Sequence, residues 1–227
     1  MNIETRLDEV RSEYQRRITQ GGNELLRQVG AHIASFGGKM LRPRMLLLAA
    51  DTLGQAHTRR SLLLAVCIEM LHNASLLHDD VIDRADTRRG QPSINRRWNN
   101  AVAVLAGDYL LAQVMHLLDE VNDAEATRQV NRTVISMVES EMLQQELQTK
   151  DYQPETYLSI IDGKTANLFA LAAELGNPAY RDYGLHYGRL FQLRDDVADG
   201  EDNVFTADLI ASEEAVLKEM PLQLYKI

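Results

Sequence analysis

Apolar residues recur at helical spacing along most of the chain. Leu7, Val10, Tyr14 and Ile18 share one side of a first predicted helix that ends near Gly21, because residues three or four apart lie on the same face of a helix. Glycine and proline separate this helix from the later ones. The further predicted helices are 25–33, 43–53, 60–83, one beginning near 101, 125–149, 154–175, one ending at 195–199, and 207–220.

Strand signals are nearly absent from the sequence. Apolar and polar residues do not alternate over any sustained stretch, and no Asn-Gly or Asp-Gly pair joins two such stretches. The helix predicted over 60–83 is apolar on most of its sides, which indicates a central position in a bundle. Because 227 residues can bury one sizeable core, the pattern predicts a single all-α domain over residues 1–227.

Composition and charge exclude several function classes. The net charge of −9 argues against general nucleic-acid binding, because phosphate backbones bind basic surfaces. The single cysteine, Cys67, excludes an internal disulfide and fits a reducing cytoplasm. The charged N-terminal stretch predicts no secretory signal, and no apolar run reaches the roughly 18 residues of a spanning helix. We therefore expect a soluble, cytoplasmic protein that does not bind nucleic acid.

Two groups of aspartates end two apolar helices. The first cluster consists of Asp79, Asp80 and Asp83, and the second cluster of Asp195, Asp196 and Asp199. In each, the outer aspartates are four residues apart and share a helix face, where like charges repel until a cation lies between them. Oxygen-only ligands favour magnesium, which takes one or two carboxylates and completes its shell with substrate phosphates.

A single Asp-Asp-x-x-Asp motif on a surface helix is usually just a solvated face. Two such motifs that both end apolar helices are harder to explain in that way. The neighbouring Arg88 and Arg89 supply the planar donors that bind polyphosphates. The sequence therefore predicts a site for divalent metal ions and a diphosphate.

Several separated motifs resemble one family, the trans-type isoprenyl diphosphate synthases or polyprenyl synthetases. The resemblance runs from about Gly37 to Asp199 and depends on the order of the motifs more than on any one of them. The matching segments are 37–43 (Gly-Gly-Lys-Met-Leu-Arg-Pro), 69–80 with the first cluster, 107–110 (Gly-Asp-Tyr-Leu), 163–165 (Gly-Lys-Thr) and 191–196 with the second cluster.

The resemblance implies a bundle of long helices around a deep cavity, with the two clusters facing each other at its mouth. It also implies head-to-tail prenyl transfer by ionisation, condensation and elimination, and a homodimer. Three magnesium ions, held chiefly by Asp79, Asp83 and Asp195, would bind the diphosphate of an allylic substrate, with the other aspartates in support. Arg88 would stabilise the leaving diphosphate.

Isopentenyl diphosphate would be the second substrate. The resemblance assigns its diphosphate to Lys39, Arg42, His72 and Arg89. The residues Lys164, Thr165 and Gln192 would line the region of the allylic cation, from which water must be excluded. The released diphosphate would remove the proton, so that no side-chain base is needed.

Product length is predicted from the helix that leads into the first cluster. Ala74 and Ser75 lie about one turn before Asp79, and in the family small residues there leave the product tunnel open. They favour a medium- or long-chain polyprenyl diphosphate; a short-chain synthase (farnesyl or geranylgeranyl) is the alternative. Met115 is either a deeper tunnel floor or a core residue.

Two other functions stay open at this point. Non-catalytic partner subunits of heteromeric synthases typically lose the aspartate clusters, which this chain keeps. Terpene cyclases lack a second diphosphate site, so Lys39, Arg42 and His72 argue against that reading. After Asp199 the family commonly continues with a lysine-containing segment and further helices; Lys218 does not fit that lysine, and we expect a chain that is short at its C-terminus.

Overall fold

The computed structural model describes residues 2–147, 153–200 and 204–220. These residues are overwhelmingly helical, which confirms the predicted all-α class. The chain divides into two compact units: unit 1 contains Met1–Arg44 and His57–Asp123, and unit 2 contains Met45–Ala56 and Ala124–Ile227. That all residues form one domain stays a prediction.

Unit 1 is built around one long buried helix. Its elements are α1 (Ile3–Thr19), α2 (Glu24–Ser35), the start of α3 (Leu41–Asp51), α4 (Arg59–Ile82), β1 (Thr87–Arg88), β2 (Gln91–Pro92), α5 (Ile94–Arg97) and α6 (Asn100–Val121). Helix α4 packs against α1 and α6, and every residue from Leu63 to Leu71 is buried. The Thr58 side chain accepts a hydrogen bond from the Ser61 backbone and so begins α4. The predicted central helix is confirmed.

Unit 2 holds the rest of α3 and the C-terminal helices. Its elements are α7 (Ala124–Leu147), α8 (Pro154–Ile161), a π-helical turn (Asp162–Ala166), α9 (Asn167–Gly176), a 3₁₀ turn (Pro178–Tyr180), α10 (Arg181–Asp199) and α11 (Thr206–Glu219). The end of the helix predicted to reach Thr149 lies outside the described residues. The other predicted helix ends agree with the structure to within a few residues.

The single helix predicted over 154–175 is wrong in one respect. A π-helical turn over Asp162–Ala166 divides it into α8 and α9. Helical periodicity continues through such a turn with only one residue inserted, so the apolar pattern does not reveal it.

A short hairpin between the first cluster and α5 was also missed. Thr87 pairs with Pro92 and Arg88 pairs with Gln91, and the two residues between the strands, Arg89 and Gly90, have φ values of 50° and 77°. Two successive positive φ values are the mark of a type I′ turn, whose first central position is usually Asn, Asp or Gly. Arginine at that position gave no hairpin signal in the sequence.

Glycines allow the close packing of α10 in unit 2. A Cβ atom at Gly184 would lie 2.6 Å from the Phe169 carbonyl oxygen, and one at Gly188 would lie 2.6 Å from the Ala166 Cα. Only a hydrogen atom fits at these two positions. Helix α10 therefore lies directly against α9 and the π-helical turn, and it carries the second cluster at its C-terminal end.

Two helices in the described part of the chain, α4 and α6, are long and apolar enough to cross a membrane by length and composition alone. Within their most apolar stretches, 72% of α4 and 39% of α6 is buried inside the protein. The prediction that no stretch reaches this length was wrong, because a mean hydropathy tolerates an isolated charge such as Glu69. The burial of α4 is typical of the core helix of a soluble protein.

Candidate functional site

The first cluster lies at the C-terminal end of α4. Asp79 belongs to the last helical turn and Asp83 caps it, with the Asp83 amide donating a hydrogen bond to the Asp79 carbonyl over 2.8 Å. Asp79 is partly buried, whereas Asp83 is exposed. Because they are one turn apart on one helix face, their two carboxylates are suited to bind a common magnesium ion.

Asp80 differs from its neighbours because its side chain is buried, with 1% exposed. Its Oδ1 atom accepts hydrogen bonds from Nε and Nη2 of Arg88, the first of them over 3.0 Å. The Asn95 side chain donates to the Asp80 carbonyl oxygen over 3.1 Å. Asp80 therefore orients Arg88 and neutralises its charge, while its Oδ2 atom has no hydrogen-bond partner among the described residues.

Arg89 joins the hairpin to the loop before α3. Its Nη1 atom donates a hydrogen bond to the Gly37 carbonyl oxygen. A Cβ atom at Gly38 would lie 2.9 Å from the same Nη1 atom, so a side chain there would displace the guanidinium. Lys39 follows in this loop with an exposed side chain. The structure thus brings Lys39 and Arg89, both predicted to bind one diphosphate, to the same loop region of unit 1.

Lys39, Arg42, His72 and Arg89 together form a basic region of unit 1, and His72 and Arg42 are its more buried members. His72 is partly buried on α4, and Arg42 is buried in the first turn of α3. Burial holds the pKa of His72 well below its ordinary value, and the positive charges of Arg42 and Arg89 act in the same direction. At neutral pH the imidazole is therefore uncharged and offers one N–H donor.

Glu69 is a functional candidate that the sequence reasoning missed. Its side chain is 4% exposed, and Asn73 donates to its Oε1 atom over 3.2 Å. Burial raises the pKa of Glu69, and the positive charge of Arg42 opposes this shift. A carboxylic acid in the otherwise apolar centre of α4 was the available signal, since buried acids are rare unless a cation lies nearby.

The predicted product-length residues lie on α4, close to His72. Ala74 is buried, and the partly buried Ser75 donates from its hydroxyl to the His72 carbonyl oxygen over 2.9 Å. Met115 of α6 is 69% exposed in unit 1. Its interpretation as a core residue was therefore wrong, because most of its side chain is exposed. A role as tunnel floor stays a prediction.

The second cluster lies at the C-terminal end of α10 in unit 2. Asp195 and Asp199 are exposed, and Asp196 is partly buried. Asp196 accepts a hydrogen bond on each oxygen: Gln192 Nε2 donates to Oδ1 over 2.7 Å, and the Tyr157 hydroxyl donates to Oδ2. Asp195 and Asp199, one helical turn apart, are thus the two exposed members of this cluster.

The π-helical turn positions Lys164 and Thr165 next to α7 and α10. Thr165 donates from its hydroxyl to the Gln192 side-chain oxygen over 2.7 Å. The Lys164 ammonium lies 3.2 Å from the Glu141 carboxylate and 3.2 Å from the Gln144 side-chain oxygen. Glu141 was not predicted, since nothing in a polar helix distinguishes one glutamate from the next. Because π-turns often occur at functional sites, the turn supports the predicted role of this segment.

The donor set of each cluster fits magnesium. Among residues 2–147, 153–200 and 204–220, no three His, Cys, Asp or Glu side chains are arranged to hold a metal ion by themselves. Magnesium is usually bound by one or two carboxylates together with substrate phosphates. Asp79 with Asp83, and Asp195 with Asp199, each provide such a pair.

The chain is similar to several curated prenyl diphosphate synthases. It is 40% identical over 188 residues to an all-trans-nonaprenyl-diphosphate synthase from Rhodobacter capsulatus. The matched region covers 77% of this chain and 57% of that protein. It is 35% identical over 196 residues to the octaprenyl diphosphate synthase of Escherichia coli, and this matched region covers 78% of this chain and 59% of that protein. The chain thus spans less than two thirds of the length of these relatives.

Solved structures share its fold. A polyprenyl synthase from Caulobacter crescentus, complexed with calcium and isoprenyl diphosphate, superposes with a TM-score of 0.80 at 36% identity, covering 85% of this chain and 62% of that one. A decaprenyl diphosphate synthase from Rhodobacter capsulatus gives a TM-score of 0.82 at 33% identity, covering 87% and 64%. Residues 23–205 match the polyprenyl synthetase family, and the chain therefore belongs to that family.

Proposed function

We propose that the protein is a magnesium-dependent trans-prenyltransferase. It condenses isopentenyl diphosphate with an allylic diphosphate, head to tail, to give a medium- or long-chain polyprenyl diphosphate. The observation that supports this proposal is in unit 1, where one helix, α4, joins the basic region to the first aspartate cluster. The neutral His72 lies beside Arg42 and Arg89, and Asp79 follows seven residues later, about 10 Å along α4.

The basic region is suited to the diphosphate of isopentenyl diphosphate. The Arg42 and Arg89 guanidinium groups can each make paired hydrogen bonds with phosphate oxygens. The neutral imidazole of His72 adds an N–H donor without further repulsion between cations. Lys39 is exposed in the loop before α3. Its long, flexible side chain adds a positive charge that can move with the bound diphosphate.

The two aspartate pairs are suited to the magnesium ions that accompany an allylic diphosphate. Asp79 and Asp83 in unit 1, and Asp195 and Asp199 in unit 2, would hold these ions. Bound magnesium would supply the charge neutralisation that lets the diphosphate leave. Arg88, oriented by Asp80, adds hydrogen-bond donors for the same leaving group.

The polar residues of the π-helical turn are suited to the allylic cation that ionisation creates. Thr165 and Gln192 present oxygen dipoles, which stabilise positive charge without forming a bond to carbon. Lys164 is paired with Glu141, which lowers its repulsion of a nearby cation. The double bond of isopentenyl diphosphate attacks the cation, and the released diphosphate accepts the proton.

A medium or long product is supported by two observations. Ala74 and Ser75 are small, and the relatives from Rhodobacter capsulatus and Escherichia coli are named for nonaprenyl and octaprenyl products. A short-chain synthase is the alternative, since a geranylgeranyl diphosphate synthase from Methanosarcina mazei is 34% identical. We further propose a homodimer, as the family resemblance implies, and a cytoplasmic location, which the single cysteine favours.

A second candidate is one component of a heteromeric synthase. The specific observation is a relative from Bacillus subtilis, 34% identical over 209 residues, which is named heptaprenyl diphosphate synthase component 2. In that case the chain would keep its aspartates and its basic region, and would elongate substrates only with a partner protein.

Labelled isopentenyl diphosphate, farnesyl diphosphate and magnesium test the proposal directly. We expect polyprenyl products longer than the primer, and their loss when the magnesium is chelated. Arg42→Met should abolish elongation, whereas Arg96→Met, which removes an exposed arginine paired with Asp86, should not. No elongation with geranyl, farnesyl or geranylgeranyl diphosphate would contradict a self-sufficient enzyme and favour the component role.

A further inference from the structure

Four side chains of unit 2 form one continuous row of hydrogen bonds. The Thr165 hydroxyl donates to Gln192 Oε1 over 2.7 Å, and Gln192 Nε2 donates to Asp196 Oδ1 over 2.7 Å. The Tyr157 hydroxyl donates to the other Asp196 oxygen. The row starts on the π-helical turn, crosses α10 and ends on α8, and two of its members, Thr165 and Gln192, were predicted to line the region of the allylic cation.

The direction of each hydrogen bond is dictated by Asp196. An ionised carboxylate can only accept hydrogen bonds, so the Gln192 side chain must turn its NH₂ group toward Asp196. The Gln192 oxygen then faces Thr165 and accepts the Thr165 proton. The lone pairs of the Thr165 hydroxyl are left to face any positive charge that develops beside it.

Tyr157 holds the other side of Asp196 firmly. Its side chain is only 7% exposed and packs with Ile161 and Leu193. The Phe205 ring contacts the Tyr157 ring edge to face, with 5.5 Å between the centroids. A hydroxyl on a ring confined in this way cannot move away from the carboxylate, so both Asp196 oxygens are committed to hydrogen bonds within the protein.

We propose that Tyr157 and Asp196 are positioning residues, which fix the Gln192 amide and thereby orient the Thr165 oxygen toward the allylic cation. This inference rests on the proposed prenyl transfer. It also divides the second cluster by role: Asp195 and Asp199 bind metal, while Asp196 organises the polar wall and is not itself a ligand.

The first test removes the hydroxyl alone, in Tyr157→Phe. We expect kcat to fall about tenfold, the usual effect of losing one hydrogen bond to a charged group, with KM for both substrates unchanged. In the metal-free, substrate-free full-length chain, the ¹⁵N–¹H signals of the Gln192 side-chain amide should shift and exchange faster with water. These signals are assigned by their absence in Gln192→Leu.

Tyr180→Phe is the matched control. Tyr180 has the same exposure of 7%, and its ring contacts Tyr183. It precedes Asp196 by sixteen residues, about 24 Å along the helix direction. Neither kcat nor the Gln192 amide signals should change in this variant. Unchanged Gln192 signals in Tyr157→Phe would overturn the proposal.

A second test separates positioning from metal binding. The Mn²⁺ requirement of Asp196→Asn, measured by titration with diphosphate present, should match the unmodified chain, whereas Asp195→Asn should need more metal. An equal increase for Asp196→Asn would identify it as a ligand and overturn the inference. The remaining outcome is that the Gln192 signals respond as expected while neither the unmodified chain nor any variant elongates a prenyl chain. That outcome would confirm the hydrogen-bonded row and contradict the proposed prenyl transfer.

Discussion

At the scale of single residues, burial decides the charge state of the groups around the predicted diphosphate site. The sequence offers His72 as a residue that titrates near neutral pH, but the folded chain surrounds it with apolar atoms and arginines. A protonated imidazole there would lose hydration and meet positive charge at the same time. The neutral form is therefore part of the site, and protonation acts against folding.

This gives a pH-dependent prediction for stability. Below pH 6.5 the unfolded chain binds a proton at His72 that the folded chain does not, so the free energy of unfolding falls as the pH is lowered. The slope approaches about 1.4 kcal/mol per pH unit for one such group. Urea unfolding at pH 7 and pH 5 should show a smaller loss of stability for His72→Asn than for the unmodified chain.

Glu69 acts with the opposite sign, because its raised pKa makes the folded chain bind more protons than the unfolded chain above pH 4.5. Glu69 is present in both the unmodified chain and the His72→Asn variant, so its effect on stability cancels when the two are compared. His116→Asn, at an exposed histidine of α6, serves as the control. An equal loss of stability in His72→Asn and the unmodified chain would contradict the burial argument.

At the scale of elements, the hairpin and the loop before α3 act together. The type I′ turn places Arg88 and Arg89 on adjacent positions with different partners: Arg88 pairs with the buried Asp80, and Arg89 donates to the Gly37 carbonyl oxygen. The glycine pair of the loop allows this approach. Two short segments, distant in sequence, therefore set the geometry of the predicted diphosphate site.

Gly38→Ala tests this arrangement. The new Cβ atom would lie 2.9 Å from Arg89 Nη1, which is the end of a flexible side chain, so the guanidinium should move while the fold persists. We expect KM for isopentenyl diphosphate to rise about tenfold, the loss of one charge-assisted hydrogen bond, with little change in KM for the allylic substrate. Steady-state kinetics with each substrate varied in turn measures both values.

Gly22→Ala is the matched control, because a Cβ atom at Gly22 meets no atom within 4 Å. Its kinetics should be those of the unmodified chain. If Gly38→Ala raised both KM values equally, a general disturbance of unit 1 would explain the effect better than displacement of Arg89.

At the scale of the whole molecule, the proposed function depends on what the chain does with a growing hydrocarbon product. The predicted control points, Ala74 and Ser75, lie between the basic region and the first cluster on α4. Product length is a property of the complete cavity, so it is tested on the intact protein by its product distribution.

Ala74→Tyr should shorten the product. Because Ala74 is buried, a tyrosine there costs about 1–3 kcal/mol of stability from overpacking, and thermal unfolding must accompany the assay. Ser75→Tyr provides a second variant at a partly buried position. Chromatography of dephosphorylated products from labelled isopentenyl diphosphate measures the length. Unchanged products from two folded, active variants would mean that this part of α4 does not limit elongation.

The sequence alone is enough to predict the helices, the two aspartate clusters and the family motifs. These are local features: helical periodicity depends on neighbours three and four residues away, and ligand chemistry depends on residue type. It did not reveal the π-helical turn at Lys164, whose extra residue leaves the apolar pattern intact, or the hairpin, whose turn begins with an arginine.

The surroundings of each member of a motif become visible only in the folded chain. Asp79 and Asp80 are adjacent in sequence, yet one borders solvent and the other is buried against Arg88. Asp195 and Asp196 differ in the same way, because Tyr157 and Gln192 occupy both oxygens of Asp196. Burial and hydrogen-bond direction depend on residues that are distant in sequence and meet only when the helices pack, so no local pattern contains them.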